Sequence, residues 1–101
     1  MSYDVWLEKD GHAVTEDHNY TYNIFPMLKL ADCEMSKLNG QTGEVAGPWI
    51  RSAILVMTVA WEQFEKLNSP NGWGDRRGCM RWLEEIARDC ETHPKAILRV
   101  G

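Results

Sequence analysis

One long helical pattern, from Pro48 to Leu67, constrains the fold of this chain more than any other feature. Its apolar residues recur at three- and four-residue steps, which places them on one stripe of a helix. The stripe comprises Ile50, Ala53, Ile54, Met57, Ala60, Trp61 and Phe64. Pro48 suits the first helical position, where its missing N–H leaves no hydrogen bond unmade. Leu55, Val56 and Val59 widen the apolar arc, so we expect a helix that is central in the fold or shared with another subunit.

The start of the chain predicts a β-hairpin. Residues Tyr3 to Lys9 alternate in polarity, with the period of a half-buried strand. Asp10-Gly11 accepts the positive φ angles of a tight turn. A second strand is therefore expected over His12 to Thr15.

A first helix is expected from about Ile24 to Ser36. Asn23 is the predicted N-cap, because it places Pro26 in the first turn, where a missing N–H is tolerated. Gly40 suits the left-handed residue that follows a helix. Residues 41–47 are then expected to form a linker or a single weak turn before the central helix.

The last third of the chain predicts a shaped loop, a helix and a closing strand. Residues 68–75 are dense in turn formers, and Asp75 is a plausible cap for a helix to about Thr92. His93-Pro94 stops that helix, and Ala96 to Val100 alternates as a strand. The predicted fold is therefore α+β, with the element order ββαααβ, in a single domain over residues 1–101. The N-terminal hairpin and the C-terminal strand form a small antiparallel sheet, and three helices pack on one face of it.

Composition excludes some classes of function. A net charge of −4 and a pI near 5.3 argue against direct binding of duplex DNA, which relies on surplus Lys and Arg. No apolar run is long enough to span a membrane, and the N-terminus lacks the features of a signal peptide. We therefore expect a cytoplasmic protein. Its three cysteines lack metal-site spacing and are expected to be reduced and buried: Cys33, Cys79 and Cys90.

No catalytic, metal or cofactor signature stands out. The histidines and neighbouring acids that a metal would need fit no ligand spacing, and solvated polar loops explain them better: His12, His18, His93, Asp10, Glu16 and Asp17. The serines have no nucleophile context, and Gly40-Gln41-Thr42-Gly43 lacks the lysine of a phosphate-binding loop. We expect a protein that is not an enzyme and uses no cofactor.

Asn19, Thr21 and Asn23 form a row of short polar side chains at alternate positions, called here the Asn/Thr row. In extended chain such side chains point the same way and could read a polar ligand by its donors and acceptors. The same residues could instead bond their own backbone and cap the next helix, and this structural reading is favoured.

Asn71-Gly72-Trp73-Gly74-Asp75 places one indole between two glycines. The glycines let the backbone turn sharply and present Trp73 either inward, as a lid on the core, or outward, as a stacking platform. The inward orientation is favoured, since a large apolar ring usually finds burial. Arg77 and its neighbour Arg76 are the nearest cations.

The chain resembles a family of uncharacterised small proteins encoded by bacteriophages. The resemblance spans nearly the whole chain and is carried by the Asn-x-Thr-x-Asn and Asn-Gly-Trp-Gly motifs. These stand here in NYTYN and NGWG, with further similarity in SYDVWLE, LNGQTGEVAGPWIRSAI and CETHPKAILRV. The resemblance implies a phage protein that acts in the host cell cytoplasm, but it implies no particular activity.

Phage context gives three hypotheses. The first is a non-enzymatic binding module that counteracts host immunity by sequestering a small nucleotide signal, as a homo-oligomer, with a pocket lined by Asn19, Thr21, Asn23, Trp73 and Arg77. It requires the two motifs to meet and leave polar atoms facing a ligand. The second is an inhibitor of a host defence protein that uses an acidic surface made of Asp10, Glu16, Asp17, Glu44 and Asp75. The third is a self-assembling structural or regulatory phage protein.

Overall fold

A central strand, β1, holds the sheet of this α+β fold together in the computed structural model, which describes all of residues 1–101. The strands are β1 (Ser2–Lys9), β2 (His12–Ala13), β3 (His18–Thr21) and β4 (Ile97–Val100). The helices are α1 (Phe25–Leu30), α2 (Met35–Leu38), α3 (Gly43–Val59), α4 (Trp61–Glu65) and α5 (Arg76–Thr92). The predicted fold class is confirmed, with helices in all three predicted helical regions.

β1 pairs antiparallel with each of the other three strands. Its buried positions, Tyr3, Val5 and Leu7, alternate with half-exposed ones, as the sequence pattern predicts. The tight turn after it is also confirmed, because Asp10 and Gly11 have φ angles of 53° and 80°. β2 is shorter than the predicted strand.

α3 and α5 pack antiparallel and at very short range. The backbone of Gly43 lies so close to the end of α5 that a Cβ there would come within 2.5 Å of the His93 carbonyl oxygen. A Cβ on Gly47 would lie 3.3 Å from that of Cys90. Two glycines on one face of α3 thus allow the two helices to approach each other.

A single cluster of 22 buried apolar residues fills the space between the sheet and the helices. The three cysteines belong to it and are free thiols. Burial raises the pKa of the Cys33 and Cys90 thiols to about 12 and also raises that of Cys79. No helix is both long enough and apolar enough to cross a membrane.

The bounds predicted for the central helix are wrong. It begins at Gly43, so residues 43–47 are helical and Pro48 lies inside the helix. The first N–H groups of α3 are satisfied by the Ala96 and Pro94 carbonyls, partners that local pattern cannot reveal. The helix ends at Val59, and α4 then leaves Trp61, a predicted core residue, 49% exposed.

The predicted first helix is two short ones. Asp32 takes a φ of 53° between α1 and α2, and its carbonyl accepts a hydrogen bond from the Trp49 indole at 2.6 Å. The predicted Asn23 cap is also wrong. The Thr21 hydroxyl is the capping group, and it accepts from the Asn23 N–H at the start of a 3₁₀ turn, Tyr22–Ile24, which precedes α1.

Candidate functional site

The tryptophan loop, residues 68–75, is held in shape by its own hydrogen bonds. The Ser69 N–H donates to the Gly74 carbonyl, and the Trp73 N–H donates to the Asn71 side chain at 2.9 Å. Gly72 and Gly74 take φ angles of 74° and 107°, which L side chains rarely adopt. The loop therefore needs both glycines and presents Trp73 from a defined backbone.

The structure brings the Asn/Thr row and the tryptophan loop together across a separation of 50 residues. The Asn23 side-chain amide donates to the Trp73 carbonyl at 2.8 Å. Gly74 is buried against the same segment, where a Cβ would lie 2.9 Å from Thr21 Cγ2 and 3.2 Å from Asn23 Cβ. Asn23 and Thr21 thus position the loop, which is the structural reading of those two residues.

Trp73 points outward, and the predicted inward orientation is wrong. Its side chain is 65% exposed, the most exposed aromatic residue in the chain. The reason lies in the main chain on either side of it. Because the Trp73 carbonyl is bonded to Asn23 and Gly74 is packed on Thr21, the indole is directed away from the core.

A groove of about 410 Å³, called here the indole groove, runs beside this ring. It is lined by Met1, Ser2, Asn19, Tyr20, Thr21 and Trp73. The Asn19 amide nitrogen is occupied, since it donates to Ser2 Oγ, to the Tyr3 carbonyl and to the Asp4 carboxylate. The Asn19 side-chain oxygen accepts no hydrogen bond within the chain and is free to meet a ligand donor.

The five predicted ligand-binding residues are therefore divided by the fold. Three of them, Asn19, Thr21 and Trp73, line the indole groove. Asn23 supports the loop behind it. Arg77 is exposed in the first turn of α5, outside the groove lining, and makes no ion pair, whereas Arg76 is held by Glu65 at 3.0 Å.

The start of α5 is not an open anion site. The Asp75 carboxylate accepts from the Gly78 N–H at 2.7 Å and so occupies a donor that a phosphate would use.

A cluster of aromatic rings and a His–Asp hydrogen bond fixes β3 on α5 beneath the groove. The ring centroids of Tyr20 and Trp82 lie 6.2 Å apart, and the Trp82 indole donates to the His18 carbonyl. The His18 imidazole lies 2.5 Å from the Asp89 carboxylate. Sequence reasoning missed these supporting residues, and it missed Met1 and Ser2 in the lining. Met1 and Ser2 reach the groove only because β1 pairs with β3, and no local signal in the sequence encodes the register of that pairing.

No cluster of three or more His, Cys, Asp or Glu side chains is arranged to hold a metal. Comparison with known proteins returns no match: no family model, no curated protein and no solved structure is similar to this chain. The chemistry of the groove is therefore inferred from its geometry: a rigid, exposed indole, an unoccupied amide oxygen and hydroxyl groups along one side.

Proposed function

We propose that this protein is a non-enzymatic binding module that holds a small nucleotide in the indole groove. The observation that carries the proposal is the 65% exposure of Trp73 on a loop built to keep it there. An indole in this position can stack on a base, an interaction worth about 1–3 kcal/mol per base. The resemblance to phage proteins supports a biological setting for it, in which the ligand is a host immune signal and binding sequesters that signal.

The groove offers separate partners to the parts of a nucleotide. The free oxygen of Asn19 can accept from an exocyclic amine, and the Ser2 hydroxyl, which already accepts from Asn19, can donate to a base or sugar oxygen. We assign Arg77 to a phosphate that projects beyond the groove, because its charge is not used by any carboxylate of the chain. Thr21 contributes shape rather than hydrogen bonds to the ligand.

The test is calorimetric titration of the purified protein with cyclic dinucleotides and ADP-ribose-type signals. A member of this panel is expected to bind, and Trp73→Ala should weaken it by about 5- to 100-fold, the equivalent of losing a stacking contact. Trp61→Ala is the matched control, because Trp61 is also half exposed yet lies on α4, away from the groove.

Two results would count against the proposal. One is the absence of heat across the whole panel. The other is equal loss of binding in the Trp73 and Trp61 variants, which would indicate a general effect of removing an exposed aromatic ring rather than stacking in the groove.

An inhibitor of a host defence protein is the second candidate, favoured by one observation on the acidic surface. The pKa of Asp17 is raised, first by burial and then by the adjacent Asp4 carboxylate, which places two acidic side chains next to each other on this surface. Two of the acidic residues assigned to this surface are already engaged: Glu44 pairs with Lys95, and Asp75 caps α5. Reversing the charges at Asp10, Glu16 and Asp17 should abolish inhibition of the host defence protein. If the variant inhibits as well as the wild-type protein does, this candidate is eliminated.

Self-association is proposed for either function, and it is also the basis of the structural or regulatory alternative. Leu55 and Val59 on α3 are 62% and 75% exposed, although both are aliphatic. Exposed apolar side chains in one stripe are typical of a contact surface. A homo-oligomer formed through α3 would cover them.

A further inference from the structure

A second pocket opens between the sheet and α2, and we call it the tyrosine pocket. Its volume is about 570 Å³. It is lined by Tyr3, Tyr22, Phe25, Met35, Ser36, Asn39 and Val100. It shares no lining residue with the indole groove. A volume of this size lies within the range of roughly 300–1,000 Å³ that is typical of small-molecule sites.

Tyr3 is the residue that points to a ligand. Its side chain is almost fully buried, with 6% exposed, yet its hydroxyl makes no hydrogen bond within the chain. Every side-chain polar atom that is fully sealed from solvent does have a partner. The Tyr3 hydroxyl is therefore open to the pocket that Tyr3 lines. A hydroxyl that has no partner in the chain and opens onto an apolar pocket is placed to bond an occupant of that pocket.

Other unoccupied polar groups lie around the same pocket. Ser36 makes no side-chain hydrogen bond, and Asn39 uses only its oxygen, which accepts from the Val100 N–H at 3.1 Å. The Asn39 amide nitrogen is left as a donor. Burial raises the pKa of Tyr3 to about 12, with smaller contributions from Tyr22, Cys79 and Glu34, so its hydroxyl stays protonated and can donate too.

The lining also indicates what the pocket does not bind. It contains no lysine or arginine, and Glu34 is close enough to act on Tyr3. An anion would therefore find no cation in the lining. The rings of Tyr22 and Phe25, 40% and 43% exposed, instead offer apolar contact area to a flat, neutral molecule.

We propose that the tyrosine pocket binds an uncharged planar heterocycle whose ring carbonyls accept hydrogen bonds from Tyr3, Ser36 and Asn39. This site is distinct from the indole groove in its lining and in its ligand chemistry. It gives the chain a second ligand whether or not a nucleotide binds beside Trp73.

Caffeine is a suitable probe, because it is planar, neutral and offers only hydrogen-bond acceptors. Titration into ¹⁵N-labelled protein, followed by amide chemical shifts, is expected to move Tyr22, Phe25, Ser36 and Asn39, with a Kd on the order of 1 mM, as for other ligands of few atoms. Indole is the matched probe with a donor and no acceptor. It should bind at least about threefold more weakly, since it leaves the Tyr3 and Asn39 donors unpaired.

Tyr3→Phe removes the hydroxyl and nothing else. Caffeine binding should weaken by about 3- to 10-fold, the loss of one hydrogen bond, with no fall in thermal stability, because the hydroxyl has no partner in the chain. Ser52→Ala is the control, because it removes an exposed hydroxyl on α3 that lines neither pocket, and it should leave caffeine affinity unchanged.

Three outcomes would overturn the proposal. Shift changes confined to Trp73 and its neighbours would mean that caffeine stacks in the indole groove only. Equal caffeine affinity in the wild-type and Tyr3→Phe proteins would show that the hydroxyl bonds no ligand. A large loss of stability in Tyr3→Phe would show that the hydroxyl has a structural partner. None of these outcomes depends on whether nucleotides bind, so this test and that of the proposed function fail independently.

Discussion

Substituting Gly74 by alanine tests the junction on which the indole groove depends. The new Cβ would lie 2.9 Å from Thr21 Cγ2, a separation that real Cβ atoms essentially never show, and 3.2 Å from Asn23 Cβ. Overpacking of this kind typically lowers stability by about 1–3 kcal/mol. The φ of 107° adds strain of about 1–2 kcal/mol for an L residue. Alanine also restricts the unfolded chain more than glycine does, and this offsets about 0.4–1 kcal/mol of the lost stability. Gly74→Ala should therefore lower the free energy of unfolding by about 2–4 kcal/mol.

Gly72→Ala is the matched control within the same loop. Gly72 also has a positive φ, of 74°, but a Cβ there would meet nothing within 4 Å. Only the backbone strain and the opposing effect on the unfolded chain remain, so the free energy of unfolding is expected to fall by about 1 kcal/mol. The difference between the two variants then measures the contact of the tryptophan loop with the Asn/Thr row.

The assay is urea denaturation followed by far-UV circular dichroism, with the free energy extrapolated to water. Equal m-values in the two variants would show that their unfolded states are comparable. A separation of about 1–3 kcal/mol corresponds to roughly 10 °C in melting temperature for a domain of this size. If both variants unfold at the same urea concentration, Gly74 is not packed on Thr21 and Asn23, and the reasoning about the groove fails with it.

Three further predictions address the rest of the molecule. Gly43→Ala should lower stability by about 2–4 kcal/mol in urea denaturation, because its Cβ would press on main-chain oxygens, whereas Gly47→Ala should change it by less than about 1 kcal/mol; equal effects would contradict the close approach of α3 and α5. The buried thiols should react with a thiol reagent only after unfolding, and stability should fall as the pH rises above 9.0, because the unfolded chain releases thiol protons that the folded chain retains; fast labelling of native protein would refute this. Light scattering should give a mass above that of one chain, and Val59→Glu should reduce it; an unchanged mass would show that Val59 lies outside any subunit interface.

Local signals predicted α5 accurately because both of its ends are encoded nearby. Asp75 caps its own helix through the Gly78 N–H, and His93-Pro94 ends it, so no distant residue is needed. The start of α3 could not be predicted in this way. Its first N–H groups bond carbonyls at Pro94 and Ala96, about fifty residues further along the chain, and that contact exists only in the folded state.

The candidate site shows the same division. Composition and spacing singled out Asn19, Thr21 and Trp73, three of the residues that line the groove. The outward direction of the indole could not be predicted from the sequence, since it depends on a hydrogen bond from the Asn23 side chain to the Trp73 carbonyl. The tyrosine pocket was missed altogether, because its lining is gathered from segments that are distant in the chain: β1, the residues from Tyr22 to Phe25, α2 with Asn39, and β4.

The antiparallel pairing of β1 with β4 has a consequence for the order of folding. Glu8 and Arg99, which form an ion pair across these strands at 2.9 Å, are 91 residues apart in the chain. β1 must therefore wait for β4 before the sheet can close, and long-range pairings of this kind form slowly. The tyrosine pocket depends on this closure, because Tyr3 of β1 and Val100 of β4 both line it. A chain that lacks β4 would therefore not have this pocket complete.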